Sequence, residues 1–299
     1  MTSIRQHLHA FSEGFVEPSD LAIQALRAID RHDPLVNAVP TRIDSDRVLE
    51  QARRIGEAMR RGDPVGVLAG MPYVAKDTHR TKGVRTTYGS PIFADHVPDQ
   101  DDPIVERLST AGCVLLGKSN TPEFAAGSQT INPVFGTTRN PYALDRTVGG
   151  SSGGGACALA TGMAIVADGS DLAASLRNPA SFCGVVGLRP TSHARPDLAM
   201  AADRFGTLSV VGTMGRCVDD VRLGRRAVFA PPAHRPLNDW ARWLADETRE
   251  RGRGCAAPNA TDHAVAPGPL PRDPRGLRIA WTIDADGQMP VSAPVHQAM

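Results

Sequence analysis

Apolar residues recur at helical spacing in two stretches near the start of the chain. Leu21, Ala25 and Ile29 follow one another at intervals of four, just after a Pro-Ser pair that favours the start of a helix. The same kind of spacing continues through Ser45–Arg61, and Gly62 supplies the left-handed conformation that ends many helices. Both stretches are therefore predicted to be amphipathic helices.

Short apolar runs alternate with helical patterns along the next part of the chain. The predicted elements are a strand that ends at Ala75, a helix over Ile104–Ala111, a buried strand over Val114–Gly117, an alanine-rich helix over Ala156–Thr161 and a strand over Ala164–Gly169. Alternation of strands and helices is typical of a sheet covered by helices. The pattern therefore predicts the α/β class.

The regular spacing of apolar residues weakens after residue 222. Residues 225–266 carry seven arginines and no sustained apolar period, although Trp240 and Trp243 would share one side of a helix. These changes predict a folded core over residues 1–222 and an irregular Pro-, Gly- and Arg-rich segment of doubtful order over residues 223–268. Residues 269–299 form a third, separate segment.

The charge balance gives no reason to expect a polyanionic partner. The chain has 299 residues, of which 22% are charged, and its 33 Lys and Arg residues against 32 Asp and Glu residues leave a formal net charge of +1. We therefore expect neither nucleic acid nor a membrane surface as a partner. No stretch approaches the roughly 18 consecutive apolar residues of a membrane-spanning helix, and the N-terminus lacks a secretory signal pattern. A cytoplasmic location is the expectation.

The five cysteines are scattered along the chain. None forms a Cys-x-x-Cys pair, so the sequence supports neither a zinc site nor a redox motif. Cys113, Cys157 and Cys183 lie in apolar runs. We predict that these three are buried, unreactive thiols.

Two loops rich in serine and small residues flank the apolar segment 156–167. The first reads Thr-Val-Gly-Gly-Ser-Ser-Gly-Gly-Gly-Ala from Thr147, and the second reads Gly-Ser-Asp-Leu-Ala-Ala-Ser-Leu-Arg from Gly169. Such loops present hydroxyls and backbone amides on a rigid scaffold, as a serine nucleophile and an oxyanion site require. The candidate base is Lys76, which follows the short apolar run ending at Ala75.

Together these residues resemble the amidase signature family of serine hydrolases. The matching motifs are Gly-Met-Pro-Tyr-Val-Ala-Lys-Asp at 70–77, Gly-Lys-Ser-Asn-Thr-Pro-Glu-Phe at 117–124, Asn-Pro-Tyr at 140–142 and both serine loops. The resemblance implies a mixed β-sheet covered by helices on both faces. It also implies a catalytic triad of Lys76, Ser151 and Ser175, with a cis peptide bond between Gly150 and Ser151. The two serines stand 24 residues apart, a spacing similar to that of the family.

The resemblance gives each member of the triad a role. Ser175 is the nucleophile, and Ser151 relays its proton to Lys76. An unperturbed lysine has a pKa of about 10.4, so burial has to bring the pKa of Lys76 close to neutrality before it can act as a base. The alternative for Lys76 is a surface lysine paired with Asp77.

Two further alternatives concern the neighbouring motifs. The glycine-rich stretch Gly149–Gly155 could be a flexible linker or a phosphate cradle, although no P-loop pattern occurs there. His79 follows Lys76 closely and suggests a serine–histidine mechanism. Nothing near His79 in the sequence supplies an orienting acid in a recognisable motif.

The Ser175 loop supplies the predicted oxyanion-hole donors. These are the backbone amides of Leu172, Ala173 and Ala174, together with that of Ser175. Members of the family generally carry two glycines where this chain has Ala173 and Ala174. An alanine is unfavourable at a position that needs a positive φ, so this substitution bears directly on activity.

Four residues around the two loops are predicted to support the triad without reacting. Asp171 and Arg177 would form a carboxylate–guanidinium pair that pins the Ser175 loop. Ser152 and Ser170 would contribute supporting hydroxyls.

The resulting prediction is an amidase that cleaves a small-molecule carboxamide to a carboxylate and ammonia through an acyl-Ser175 intermediate, without a metal or organic cofactor. The resemblance returns around residues 271–281, which are similar to the entry into a later strand of the family. Because family members normally continue much further than residue 299, residues 269–299 would be a remnant of the C-terminal part of the domain, and the fold would be incomplete there. Two alternatives stay open, the glutaminase subunit of an amidotransferase and an inactive, truncated remnant. The sequence specifies neither the acyl group nor the oligomeric state.

Overall fold

A six-stranded sheet forms the centre of the fold. The computed structural model describes residues 2–191, 208–229, 234–240 and 242–244. Its strands are β1 (Thr41–Arg42), β2 (Pro72–Lys76), β3 (Val114–Ser119), β4 (Ile131–Asn132), β5 (Gly136–Thr137), β6 (Arg139–Asn140), β7 (Ala143–Thr147), β8 (Val166–Asp171), β9 (Val186–Gly187) and β10 (Val210–Gly215). The central sheet has the order β1-β3-β2-β8-β10-β9, and the pairs β4–β5 and β6–β7 form two small hairpin sheets.

The central sheet is mixed, and its three middle strands are parallel. Strand β2 pairs in parallel with both β3 and β8, whereas β1, β9 and β10 join antiparallel. Lys76, the last residue of β2, lies opposite Ser119, the last residue of β3. The carboxyl ends of the parallel strands therefore meet at one edge, which is where open α/β sheets bind ligands.

Helices cover both faces of this sheet in the described part of the chain. They are α1 (Ile4–Ser12), α2 (Pro18–Val36), α3 (Ser45–Arg61), α4 (Pro103–Thr110), α5 (Gly153–Ala160), α6 (Arg177–Phe182) and α7 (Val218–Phe229). Successive side chains of a strand point to opposite faces of the sheet. Tyr73 of β2 therefore packs in the apolar cluster that includes α1, α4 and α7. Its neighbour Val74 packs in the cluster on the other face, which includes α2, α3, α5 and α6. The predicted mixed sheet with helices on both faces is confirmed.

Local sequence signals account for most of the predicted elements. The predicted helix over Ser45–Arg61 is α3 in full, and Gly62 ends it with φ +77°. Strands β3 and β8 and helices α2, α4 and α5 also lie where apolar patterns place them, with ends that differ by a few residues. Cys113, Cys157 and Cys183 are buried as predicted, and burial raises the pKa of the Cys183 thiol to about 12.

The sequence patterns missed α1 and α7. These helices pack on each other: the backbone amide of Ile4 donates to Asp220 Oδ1 at 2.8 Å. Helix α7 runs through the boundary predicted at residue 222, and residues 237–240 and 242–244 are also helical. Trp240 is buried in the core, and its indole N–H donates to the carbonyl of Val65 at 2.8 Å.

The chain divides into two units, residues 1–247 and residues 248–299. The second unit, with the predicted piece over residues 269–299, lies outside the described residues, as does most of the segment over residues 223–268 after its helical part. None of the helices in the described residues combines the length and apolar character needed to cross a bilayer.

Candidate active site

The predicted site residues lie at the carboxyl edge of the parallel strands. Lys76 ends β2, and Ser170 and Asp171 end β8. Ser151 and Ser152 directly precede α5. The first turn of α5 consists of glycines, so its backbone can pack closely against the end of β3. A Cβ at Gly154 would lie 2.3 Å from the backbone nitrogen of Asn120, so no larger residue fits there.

The Lys76 side chain is fully buried, and three serine hydroxyls surround its amine. Nζ lies 2.7 Å from Ser151 Oγ, 3.0 Å from Ser152 Oγ and 3.0 Å from Ser170 Oγ. Burial lowers the pKa of Lys76 to about 7, against the opposing effect of Asp168 and Asp171. The alternative of a surface lysine paired with Asp77 is therefore wrong.

Three hydroxyl neighbours match the needs of a neutral amine. An uncharged amine donates two N–H groups and accepts one O–H, whereas an ammonium donates three and accepts none. With Lys76 neutral, one serine can point its O–H at the nitrogen lone pair. The shortest contact is with Ser151, so the geometry suits proton transfer from that hydroxyl to Nζ.

The Ser151 loop is rigidly held by its neighbours. The peptide bond between Gly150 and Ser151 is cis, as the resemblance implies. Gly149–Gly155 is buried, and its second half belongs to α5, so the flexible-linker alternative is wrong. The backbone amide of Ser152 donates to the carbonyl of Ser175 at 3.2 Å, which ties the two serine loops together.

Ser175 lies in the short loop between β8 and α6 and is partly exposed. Within the described residues its Oγ has no hydrogen-bond partner. The same holds for the backbone amides of Leu172, Ala173 and Ser175, so all three remain free to donate to a bound oxyanion. Ala174 differs from the prediction, because its amide already donates to Asp171 Oδ1 at 2.9 Å.

Asp171 holds this loop in place. Arg177 donates to both of its carboxylate oxygens, at 2.9 and 3.0 Å, and the Leu176 amide donates to Oδ2 at 3.2 Å. Burial would raise the pKa of Asp171, but the bonds from Arg177, Leu176 and Ala174 outweigh it and hold the pKa below its ordinary value. The pair between Asp171 and Arg177 predicted from the sequence is present.

Only one of the two alanines in this loop is conformationally unusual. Ala174 has φ +73°, whereas Ala173 is not among the residues with positive φ. We expect Ala174→Gly to relieve backbone strain at residue 174 of the folded chain. Ala173→Gly relieves no strain and only raises the conformational entropy of the unfolded chain. The two variants should then differ by about 1–2 kcal/mol in the free energy of unfolding, measured by denaturant titration. Equal destabilisation by both glycines would contradict this expectation.

The sequence analysis missed Asp168, which lies on β8 behind the lysine. Its carboxylate is fully buried and accepts the Lys76 amide at 2.5 Å, the Tyr73 hydroxyl at 2.7 Å and His79 Nδ1 at 2.9 Å. An acidic residue within an apolar strand was the available signal. His79 therefore has an orienting acid that no motif near it in the sequence indicated, but it contacts no serine hydroxyl within the described residues.

A second buried lysine lies on the neighbouring strand. Lys118 Nζ donates to the carbonyl of His79 and to Thr81 Oγ1, the latter at 2.5 Å. Burial lowers the pKa of Lys118 to about 8, against the opposing charge of Asp77. Burial raises the pKa of Asp77, which accepts the hydroxyl of Thr87 at 2.5 Å.

The two buried lysines predict how stability depends on pH. Their pKa values are lower in the folded chain than in the unfolded chain, so unfolding takes up protons and the free energy of unfolding rises with pH. From pH 7 to pH 8.5 we expect a rise of about 1.5 kcal/mol per pH unit in denaturant titrations. Lys76→Met should remove the larger part of this rise and leave the part due to Lys118, whereas Lys82→Met, at an exposed position, should leave the whole rise unchanged. A flat profile for the unmodified chain would contradict the prediction.

Comparison with known proteins agrees with this geometry. The profile of the family described as Amidase matches residues 20–241. The chain belongs to the amidase signature family. A glutamyl-tRNA(Gln) amidotransferase subunit of Moorella thermoacetica is 45% identical over 210 residues, which cover 70% of this chain and 42% of that relative.

Solved amidase structures share the fold. A bacterial aryl acylamidase of the amidase signature family superposes with a TM-score of 0.71 and 29% identity, over 76% of this chain and 47% of that one. The peptide amidase of Stenotrophomonas maltophilia gives a TM-score of 0.69 and 30% identity, over 77% of this chain and 48% of that one. This amidase-family chain thus spans about half the length of the relatives it matches. Among its described residues, no group of three or more His, Cys, Asp or Glu could hold a metal ion.

Proposed function

We propose that the chain carries the catalytic centre of an amide hydrolase with Ser175 as the nucleophile. The observation that carries this proposal is the buried Lys76 amine within hydrogen-bond distance of three serine hydroxyls. A lysine whose pKa is lowered to about 7 by burial is half neutral at physiological pH, and a neutral amine can take a proton.

The proposed reaction begins with attack of Ser175 Oγ on the amide carbon. The Ser175 proton passes to Ser151 Oγ as the Ser151 proton passes to Lys76 Nζ, so the relay ends with an ammonium. When the C–N bond breaks, the same path returns the proton to the leaving nitrogen and ammonia departs. Water then attacks the acyl-Ser175 ester by the same proton transfers and releases the carboxylate.

The negative charge of each tetrahedral intermediate needs donors. The amides of Leu172, Ala173 and Ser175 are proposed to supply them, since each is without an acceptor within the described residues. Ala174 is left out of this set because its amide holds Asp171. The bond from Ala174 to Asp171 would instead keep the loop rigid, so that the three free amides need no rearrangement when charge develops.

The experiment that tests the proposal is ammonia release from a panel of simple aliphatic and aromatic carboxamides by the purified chain. Treatment with a fluorophosphonate probe, which reacts with activated serines, runs in parallel. Turnover together with labelling supports the proposal. A chain that unfolds cooperatively on heating but neither labels nor releases ammonia would be an inactive member of the family.

The second candidate is a glutaminase component that delivers ammonia to a partner chain. The similarity to a relative named as one component of a glutamyl-tRNA(Gln) amidotransferase favours it. Ammonia release from glutamine, measured with and without the other amidotransferase components, separates the two candidates. Glutamine turnover that depends on those components supports the glutaminase role, and turnover of simple amides by the chain alone supports an independent amidase.

A further inference from the structure

The carboxylate of Asp168 continues the hydrogen bonding of the sheet where two strands separate. The ladder between β2 and β8 joins Tyr73 to Val166 and Val74 to Ala167. Beyond that point the Asp168 side chain takes over, because its Oδ1 accepts the backbone amide of Lys76 at 2.5 Å. The backbone position from which the lysine side chain starts is therefore fixed by this carboxylate.

Two further donors hold the carboxylate itself. Asp168 Oδ2 accepts the hydroxyl of Tyr73 at 2.7 Å and the Nδ1–H of His79 at 2.9 Å. The backbone amide of His79 in turn donates to the carbonyl of Lys76 at 2.9 Å. Tyr73 and Asp168 are fully buried and His79 is nearly so, hence water does not compete for these hydrogen bonds.

We propose that Asp168 is a positioning residue for the Lys76 base: held by Tyr73 and His79, it fixes the lysine backbone and places one negative charge beside the amine. The inference rests on the proposed function, in which Lys76 takes the proton. It assigns Asp168 no contact with the substrate. Asp168 acts only through Lys76. Because its negative charge favours the ammonium form of Lys76, Asp168 raises the pH above which Lys76 is neutral and can act as a base.

Several other titratable groups lie near Asp168 and Lys76. Asp171 at the end of β8 acts on Lys76 directly, and Asp77 follows Lys76 in the chain. The groups that interact with Asp168 are Lys118 of β3, Cys113 just before β3, Tyr73 of β2 and His79 from the turn after β2. Of these, Asp171 also favours the ammonium of Lys76, but it is bound to Arg177 and shapes the Ser175 loop. Asp168 is thus the charge whose removal changes the lysine and leaves the loop intact.

The test removes the negative charge of residue 168 but keeps a side-chain oxygen that can accept a hydrogen bond. Asp168→Asn keeps a side-chain oxygen for the Lys76 amide, and Tyr73→Phe is its matched control because it removes a hydrogen bond from the same carboxylate but leaves the charge. The chain has only three lysines, Lys76, Lys82 and Lys118, so the titration of each can be followed by NMR of protein labelled at the lysine Cε. The pH profile of kcat/KM for an amide is measured beside it.

With Asp168→Asn, the Lys76 titration and the acidic limb of kcat/KM should both move about one pH unit lower. With Tyr73→Phe they should stay where they are in the unmodified chain. Equal movement in both variants, or none in Asp168→Asn, would overturn the proposal. Should Asp168→Asn fail to fold, Asp168→Thr removes the charge but keeps a hydroxyl oxygen that can accept a hydrogen bond, and the same direction of shift is expected.

The NMR titration separates this inference from the proposed function. A shifted Lys76 resonance in a chain without amide turnover would reject the proposed function and support the placement of the charge. Normal turnover with an unshifted resonance and an unshifted pH limb would reject the role of Asp168 alone.

Discussion

Ser175→Ala is expected to abolish both fluorophosphonate labelling and amide turnover. The variant removes the oxygen that is proposed to form the covalent bond to the acyl group, while the free amides of the loop and the buried lysine stay in place. Loss of a serine nucleophile lowers kcat by a factor on the order of 10⁴–10⁶ in comparable enzymes. Intact-mass measurement of the probe adduct, with an ammonia assay on the same samples, checks the result.

Ser181→Ala is the matched control for this variant. Ser181 is exposed on α6, six residues beyond Ser175, and its hydroxyl plays no part in the site. It should keep both labelling and turnover. If the Ser175→Ala chain still labels, the probe reacts elsewhere, and Ser151 or Ser152 would have to be reconsidered as the nucleophile.

The sequence predicted the parts of this site that depend on neighbours along the chain. Lys76, Ser151 and Ser175 each follow a local motif, and the parallel strands then bring their backbones to one edge. The pair between Asp171 and Arg177 was also predictable, because six residues separate its members across one short loop. Local patterns serve well where a contact lies within one loop.

Contacts between distant segments were beyond those patterns. Asp168 and His79 lie 89 positions apart, and only the pairing of β2 with β8 brings them together. Helix α1 is a different case, because its local signals were present in the sequence: Ile4, Leu8 and Phe11 recur at helical spacing, and Ser3 forms a capping box with Gln6. What no local pattern reveals is its packing on α7, more than 200 residues later.

The Ser175 loop shows a third kind of limit. The sequence identified the unusual alanines, but it offered no means to tell which of them requires a positive φ. The structure shows that it is Ala174, because its amide donates to Asp171 and, of the two alanines, only Ala174 has the left-handed conformation. The proposed set of oxyanion donors is therefore the predicted one without Ala174, because the Ala174 amide already donates to Asp171.

Lys76→Ala is expected to reduce kcat/KM at pH 7–8 by a factor of about 10²–10⁴, the usual contribution of a general base. In the proposed relay, loss of the amine leaves Ser151 without an acceptor for its proton, and Ser175 would then have to attack as a neutral hydroxyl. Lys82→Ala, which removes an exposed lysine six residues later, should leave the rate unchanged.

The pH profile gives this variant its sharpest outcome. Burial lowers the pKa of Lys76 to about 7, so the neutral, active form grows as pH rises and kcat/KM should climb through pH 7 and level off above pH 8. Lys76→Ala should lose this limb and regain part of the rate only at high pH, where hydroxide can take the proton. A variant that is slow but keeps the limb near pH 7 would show that another group is the base. His79 would then be the first residue to test, since Asp168 already orients its ring.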